Sequence, residues 1–364
     1  MTKRLLVMAG GTGGHIFPGI AVANELKQQG WAIHWLGTQA RMEAQLVPKA
    51  GYDISFIDVA GVRGNGLARL LAAPFHIIKS IWQAVAVMKQ FKPDVVLGMG
   101  GFAAGPGGIA AWLLGIPVVI HEQNAVPGMT NKILSKVASK LLVGFQQAFA
   151  GNKKASWVGN PVRAEFAGIE DKKAASKRAL NLLVVGGSLG AKCLNDFVPQ
   201  AVSSVMGAAQ ANAIVVQHQC GKGNKETVFE AYTHQVGDVC RWEVSEFIED
   251  MVSAYQWADV IICRAGALTV AEVAVSGRCA IFVPLPHAVD DHQTLNARSL
   301  VDSEAGILLP QAELQSGRLV QILNELIVSP ERVESLAVKA KQLAKVDATE
   351  QVAKVCMELS KVGA

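Results

Sequence analysis

Short, unbroken apolar runs that stop at glycines set the rhythm of this chain. Leu5-Leu6-Val7-Met8-Ala9 runs into Gly10-Gly11-Thr12-Gly13-Gly14-His15, and a stretch of helical spacing through Ala21-Val22-Ala23-Asn24-Glu25-Leu26 follows. Much later, Leu182-Leu183-Val184-Val185 runs into Gly186-Gly187-Ser188-Leu189-Gly190-Ala191 and a helix carrying Leu194, Phe197 and Val198. A continuous apolar run predicts a strand buried on both faces, and the glycine turn and helix complete one βα unit of a parallel sheet. A second pair repeats the arrangement. Pro93-Asp94-Val95-Val96-Leu97-Gly98-Met99-Gly100-Gly101 matches Ala258-Asp259-Val260-Ile261-Ile262-Cys263-Arg264-Ala265-Gly266. The strands after them, Ile116-Pro117-Val118-Val119-Ile120-His121 and Cys279-Ala280-Ile281-Phe282-Val283-Pro284, also correspond. Two Rossmann-like α/β domains in tandem are therefore expected, over 1–160 and 161–340. The hinge is placed near Val158-Gly159-Asn160-Pro161, where a glycine and a proline interrupt the pattern. A last helical stretch, about 341–364, is expected to pack back across the first domain.

Composition sharpens this picture. A chain of 364 residues exceeds the usual domain size of roughly 100–200 residues. With 51% hydrophobic and 18% charged residues it is too apolar for disorder. Charge is unevenly shared: residues 1–163 hold 16 Lys and Arg against 6 Asp and Glu, and the remainder holds 18 against 24. A cationic first half points to nucleic acid, a phosphorylated substrate or an anionic membrane surface, with functionless asymmetry as the plain alternative. All six cysteines follow residue 190 and form no CxxC pair, as expected of reduced core thiols. The histidines show no metal-binding spacing, so no metal site is expected. The first residues run straight into a strand, and no segment offers the ~20 apolar residues that span a bilayer. The expectation is a chain that stays inside the cell and does not cross the membrane.

The glycine loops carry the chemistry. The first is not a dinucleotide fingerprint: its third glycine is missing, and Ala32-Ile33-His34-Trp35-Leu36 ends in Gly37-Thr38 where a ribose-binding acid belongs. Nor is Gly187-Ser188-Leu189-Gly190-Ala191-Lys192-Cys193 a P-loop, for want of the Gly-Lys-Ser/Thr ending. Residues 98–108 include six glycines in eleven positions. That suits either backbone N–H groups crowding an anion or tight helix–sheet packing. The turn Arg264-Ala265-Gly266-Ala267-Leu268-Thr269-Val270-Ala271-Glu272 is a place for a diphosphate. Glu272 would there accept both hydroxyls of a ribose or, alternatively, close a capping box. His15, with an ordinary pKa of about 6.5, is the first candidate for a general base, a helix-capping or backbone-bonded histidine being the alternative. Glu122 is the second candidate.

At this point the motifs match a known family. Gly10-Gly11-Thr12-Gly13-Gly14-His15, Gly98-Met99-Gly100-Gly101, His121-Glu122-Gln123-Asn124, Gly159-Asn160-Pro161-Val162-Arg163, Gly186-Gly187-Ser188, Gly266-Ala267-Leu268-Thr269 and His292-Gln293 occur in order over nearly the whole chain. The sequence resembles the MurG family of N-acetylglucosaminyltransferases of peptidoglycan synthesis. The resemblance implies the GT-B glycosyltransferase fold and inverting transfer of GlcNAc from UDP-GlcNAc. The acceptor it implies is the 4-hydroxyl of MurNAc in undecaprenyl-pyrophosphoryl-MurNAc-pentapeptide (lipid I), and the product lipid II. Carried over, Ser188 would bond the diphosphate, Arg163 would assist the nucleotide, and the Ile248 backbone would read uracil. Ala267, Leu268, Thr269, Val270, Ala271 and Glu272 would hold phosphate and ribose, Asn124 and Gln293 the sugar, with Thr12, Gly13 and Gly14 completing the donor set. Phe102 stands where some members have Tyr, and Leu189 replaces a polar residue.

No Asp-x-Asp motif occurs, so helix N-termini and Arg and Ser donors are expected to stabilise the leaving group without a metal or other cofactor. The acceptor implies work at the cytoplasmic face of the bacterial inner membrane, as a peripheral protein, with other cell-wall and division proteins as further partners. Helical spacing brings Phe75, Ile78, Ile81 and Trp82 together. A core-facing helix is one reading. The cationic half and nearby Trp112 favour docking on anionic lipid. Nucleic acid is not expected as a partner, because no basic motif with interleaved aromatics is present.

Overall fold

The computed structural model describes residues 2–59, 67–172, 179–207, 213–286 and 288–360, without the side chains of 67–73, 206, 207 and 289. The chain forms two compact units, one of Met1–Arg163 with Lys345–Ala364 and one of Ala164–Ala344. In the first, β1 (Arg4–Ala9), β2 (Ala32–Gly37), β3 (Asp53–Phe56), β4 (Val95–Gly100), β5 (Val118–Glu122), β6 (Lys140–Val143) and β7 (Ala155–Trp157) form one sheet. Its order is β3-β2-β1-β4-β5-β6-β7 and every pair is parallel. In the second, β8 (Leu180–Val185), β9 (Ile214–Gln219), β10 (Arg241–Ser245), β11 (Val260–Cys263), β12 (Cys279–Phe282) and β13 (Ile307–Leu308) follow the order β10-β9-β8-β11-β12-β13, again all parallel. The unbroken apolar runs have their cause here, since both faces of β4, β11 and β12 are covered and every residue in them is buried.

The repeat extends to a single carboxylate. Asp94 Oδ2 accepts the backbone N–H of Arg4 at 2.8 Å, and Asp259 Oδ2 accepts that of Asn181 at 2.8 Å. Each also pairs with a lysine, Lys3 at 3.0 Å and Lys172 at 3.1 Å. In both units, then, an aspartate at the foot of the fourth strand pins the start of the central one. All six cysteines are buried and free, and burial pushes the Cys279 and Cys356 thiols up to about 12. Those thiols stay protonated at neutral pH.

The first unit is not continuous in sequence. The helix Ala348–Leu359 buries Val352, Ala353 and Cys356 in the same core as Ile16, Val22, Leu26 and Trp35. Lys3 Nζ donates to the Ser360 carbonyl at 2.7 Å, and Thr349 Oγ1 donates to the Val162 carbonyl at 3.3 Å. Residues 341–344 stay with the second unit, where Lys341 pairs with Asp171. A charge placed at Val352 would have no partner among these apolar neighbours. Val352→Asp should cost about 3 kcal/mol or more, read as a lowered urea midpoint, whereas Glu350→Gln on the exposed side should change it little.

Candidate active site

Strand order reverses between β1 and β4, and again between β8 and β11. Chains leaving the carboxyl ends of such strands diverge and open a crevice, where α/β sheets bind ligands. The motif residues fall there. Thr12 precedes the helix Gly13–Gln28 without capping it through its side chain, and Gly13 and Gly14 form its first turn. That helix start follows β1, the second glycine loop follows β4, and Glu122 and Asn124 end and follow β5. Gly100 and Gly101 have φ of 100° and 86°, a region side chains disfavour. A Cβ on Gly101 would lie 2.3 Å from the Gly10 carbonyl oxygen, so the two loops meet backbone to backbone. Gly107 and Gly108 serve a different end: a Cβ there would meet Met8 Sδ at 2.4 Å and Leu134 Cδ2 at 2.7 Å. Tight packing therefore accounts for Gly107 and Gly108, and the close approach of the two loops for Gly101.

His15 stands between the two loops. Its Nδ1 is 3.1 Å from the Gly10 carbonyl, which only accepts, so Nδ1 carries the hydrogen and Nε2 the lone pair. A Cβ on Gly100 would come within 3.1 Å of Nε2. Burial lowers the His15 pKa below its ordinary value, while the Glu122 charge, the Gly10 carbonyl and the Glu43 charge oppose that shift. At neutral pH the ring is thus uncharged, and the backbone-bonded histidine supplies a lone pair at Nε2. Glu122 is buried and fully engaged. Its Oε1 accepts Asn124 N at 2.9 Å; its Oε2 accepts Gly128 N at 3.0 Å and Asn131 Nδ2 at 2.9 Å. It anchors the loop that carries Asn124.

In the second unit, Ser188 lies exposed on the β8 loop, whose carbonyl accepts Lys222 N at 3.2 Å. Gly190 and Gly221 touch backbone to backbone, since a Cβ on Gly221 would lie 2.0 Å from Gly190 N. Behind them Asn195 Nδ2 donates to the Cys220 carbonyl at 3.0 Å. His218 donates from Nε2 to Asn195 Oδ1 and accepts the Tyr232 hydroxyl at Nδ1, both at 3.1 Å. After β11, Gly266 precedes the helix Ala267–Ser276, which contains Ala267, Leu268, Thr269, Val270, Ala271 and Glu272. The N-cap is a glycine without a hydroxyl, and Glu272 lies beyond the first turn, so the capping-box alternative for Glu272 fails. Ile248 follows β10 and is half-buried. Gln293 Oε1 accepts Leu285 N at 2.9 Å. Arg163 is exposed at the end of the first unit's main segment. Sequence reasoning passed over the supports Glu43, Asn131, Asn195 and His218. Asn195 and His218 sit in ordinary helix and strand patterns that gave no signal.

On the first unit, Phe75, Ile78 and Trp82 are 77%, 52% and 68% exposed, and Trp112 on the neighbouring helix is 53% exposed. Ile81 departs from the expected face. At 100° per residue it flanks the inward row Ser80, Ala84 and Met88, and it packs on the core. The first unit holds 19 Lys and Arg against 9 Asp and Glu, the second 15 against 21. No helix among the described residues is long and apolar enough to cross a membrane. Among the same residues, no three His, Cys, Asp or Glu side chains gather as metal ligands.

Two buried histidines make stability depend on pH. Burial depresses His121 to about 4 and His218 to about 3, and His121 Nε2 donates to the Gly159 carbonyl at 2.9 Å. Both folded values lie below the unfolded value near 6.5. Their stabilisation is therefore whole above pH 6.5 and is lost as pH falls, down to about 4 for His121 and about 3 for His218. Each contributes a slope of about 1.4 kcal/mol per pH unit in that window. His121→Gln should flatten the decline of urea stability between pH 6 and 4.5 by one such share; an unchanged slope would show that His121 charges freely when folded.

Known proteins share this architecture over its full length. Residues 5–143 match the glycosyltransferase family 28 N-terminal domain, and residues 181–352 its C-terminal domain. A UDP-N-acetylglucosamine--N-acetylmuramyl-(pentapeptide) pyrophosphoryl-undecaprenol N-acetylglucosamine transferase of Pseudoalteromonas atlantica is 59% identical, covering 99% of this chain and 96% of its own. The crystal structure of Acinetobacter baumannii MurG superposes with a TM-score of 0.84 at 43% identity, covering 98% of this chain and 99% of that one. A UDP-N-acetylglucosamine 2-epimerase, 14% identical with a TM-score of 0.67 over 97% and 95% of the two chains, shares the fold alone. Paired parallel sheets, glycine loops at both switch points and full-length identity agree, and the chain belongs to the MurG family within glycosyltransferase family 28.

Proposed function

We propose that this protein transfers GlcNAc from UDP-GlcNAc to the 4-hydroxyl of MurNAc in lipid I, giving lipid II with inversion at the anomeric carbon. The observation that carries this reading is 59% identity across 99% of the chain to a UDP-N-acetylglucosamine--N-acetylmuramyl-(pentapeptide) pyrophosphoryl-undecaprenol N-acetylglucosamine transferase. The second unit holds the donor. Ser188 and the dipole of the helix Ala267–Ser276 stabilise the departing diphosphate, Glu272 accepts the ribose hydroxyls, and the Ile248 backbone reads uracil; Arg163, at the end of the first unit's main segment, assists the nucleotide. Gln293, its Oε1 held by Leu285, turns its amide to the sugar. From the first unit, Thr12, Gly13, Gly14 and Asn124 complete the substrate contacts. His15 is the base: Nε2 takes the proton as the acceptor oxygen bonds to the anomeric carbon and the bond to the diphosphate breaks. Glu122, its carboxylate accepting N–H groups of Asn124, Gly128 and Asn131, positions the Asn124 loop.

Leaving-group stabilisation here comes from fixed dipoles and side-chain donors, so no metal is required. Transfer of labelled GlcNAc to a soluble lipid I analogue tests the whole reading, because the same fold also carries 2-epimerases. The expected result is one GlcNAc on the analogue, with most activity kept in excess EDTA. Epimerised donor without transfer would refute the reaction. Loss on chelation restored by one particular metal would refute the leaving-group argument.

The first unit also docks on anionic lipid at the cytoplasmic face of the inner membrane. Phe75, Ile78, Trp82 and Trp112 supply shallow apolar insertion, and the cationic surface supplies attraction of roughly 1 kcal/mol per basic residue close to the lipid. Cell-wall and division proteins working on the same lipid are natural further partners. Ile78→Glu with Trp82→Glu should abolish sedimentation with phosphatidylglycerol-rich vesicles while leaving UDP-GlcNAc affinity unchanged, and raised salt should weaken the wild type. A folded double variant that still sediments would place the docking surface elsewhere.

A further inference from the structure

A wholly buried carboxylate lies directly beneath the first glycine loop and has no part in the chemistry above. Glu43 opens the short helix Glu43–Lys49. Its Oε2 accepts Gly11 N at 2.9 Å; its Oε1 accepts Thr38 N at 3.0 Å and Thr38 Oγ1 at 2.6 Å. A Cβ on Gly10 would lie 2.4 Å from Oε1, so the loop backbone rests on this carboxylate. A buried carboxylate is tolerated only when donors surround it, and three do so here. The acid missing from the end of β2 has been supplied five residues later and turned under the loop instead of toward a ribose. The Gly11 N–H, which a dinucleotide site would offer to phosphate, is spent on an internal anion.

The loop so held is the one that orients the candidate base. Gly10, seated on Glu43, presents the carbonyl that receives His15 Nδ1. We propose that Glu43 is a positioning residue: by seating the Gly10–Gly11 backbone, it fixes the His15 tautomer that leaves the Nε2 lone pair available. The consequence for turnover rests on His15 being the base, whereas the link between Glu43 and the imidazole does not. The charged groups acting on His15 are Glu122, at the end of β5, and Glu43. Both favour the imidazolium against burial, so removing the Glu43 charge lowers the midpoint of His15 further.

The test uses the full chain with isotope-labelled histidine, the His15 ring signals being assigned through His15→Gln. In Glu43→Gln the nitrogen shifts should report mixed tautomers and a lower titration midpoint. The kcat should fall roughly 10- to 100-fold, as for a misplaced catalytic group. The KM for UDP-GlcNAc should change less than kcat, because, of the donor contacts, only Thr12, Gly13 and Gly14 share the loop that Glu43 seats, and the acid limb of kcat should move to lower pH. Unchanged tautomer and midpoint would overturn the proposal, as would a uniform loss of kcat with neither altered. Altered ring signals with an unmoved acid limb would uphold the Glu43 link and remove His15 as the base. If Glu43→Gln does not fold, Glu43→Asp keeps the charge but withdraws it from Gly11. Mixed tautomers are expected there too, and a wild-type tautomer would overturn the proposal.

Discussion

Backbone lies on backbone where β1 and β4 part in the first unit, and again between the loops that follow β8 and β9 in the second, and the glycine loops of the candidate site are seated by these contacts. Gly101 against the Gly10 carbonyl in the first unit, and Gly221 against Gly190 in the second, leave no room for a Cβ. The loops are thus held by the rigid strands beneath them more than by their own turns. Each loop then presents a helix start, a hydroxyl or an imidazole from a platform that side-chain rotation cannot disturb. Such close approach also explains why glycine recurs at the ends of strands whose interiors are wholly apolar.

Buried charge is managed with equal economy. Asp94 and Asp259 each take a strand N–H and a lysine; Glu43 takes three donors, and Glu122 takes donors from Asn124, Gly128 and Asn131. Carboxylates therefore act as fasteners at both ends of the parallel sheets. At the carboxyl ends they also bear on His15, where Glu122 and Glu43 partly offset the effect of burial.

The strands, the tandem repeat and the returning last helix could be read from the sequence, because continuous apolar runs and a 3.6-residue period depend only on local order. The strand, turn and helix start at Gly266 were legible for the same reason. What sequence could not apportion was anything decided by a distant partner. Gly101 and Gly107 look alike in a glycine-rich stretch, yet one meets a carbonyl and the other a methionine. Ile81 and Trp82 are both apolar neighbours on a helix, and only the position of the sheet decides which faces in. Glu122 beside His121 resembles a second base until three N–H groups from residues two to nine positions on are found around it. Glu43 gave one faint sign, an acid shortly after a strand that should have ended in one.

The helix Ala348–Leu359 completes the core of the first unit but is synthesised only after the whole of the second. Until it emerges, the helix Gly13–Gln28 has no cover for part of its apolar face. All of residues 164–344 must be translated first, a wait of roughly ten seconds or more at about 5–20 residues per second. The second unit, continuous in sequence, is complete in the chain before that helix has been made. The order of maturation on the ribosome is therefore reversed: the half made first becomes whole last, and a nascent chain cut short before residue 345 leaves its earlier half incomplete.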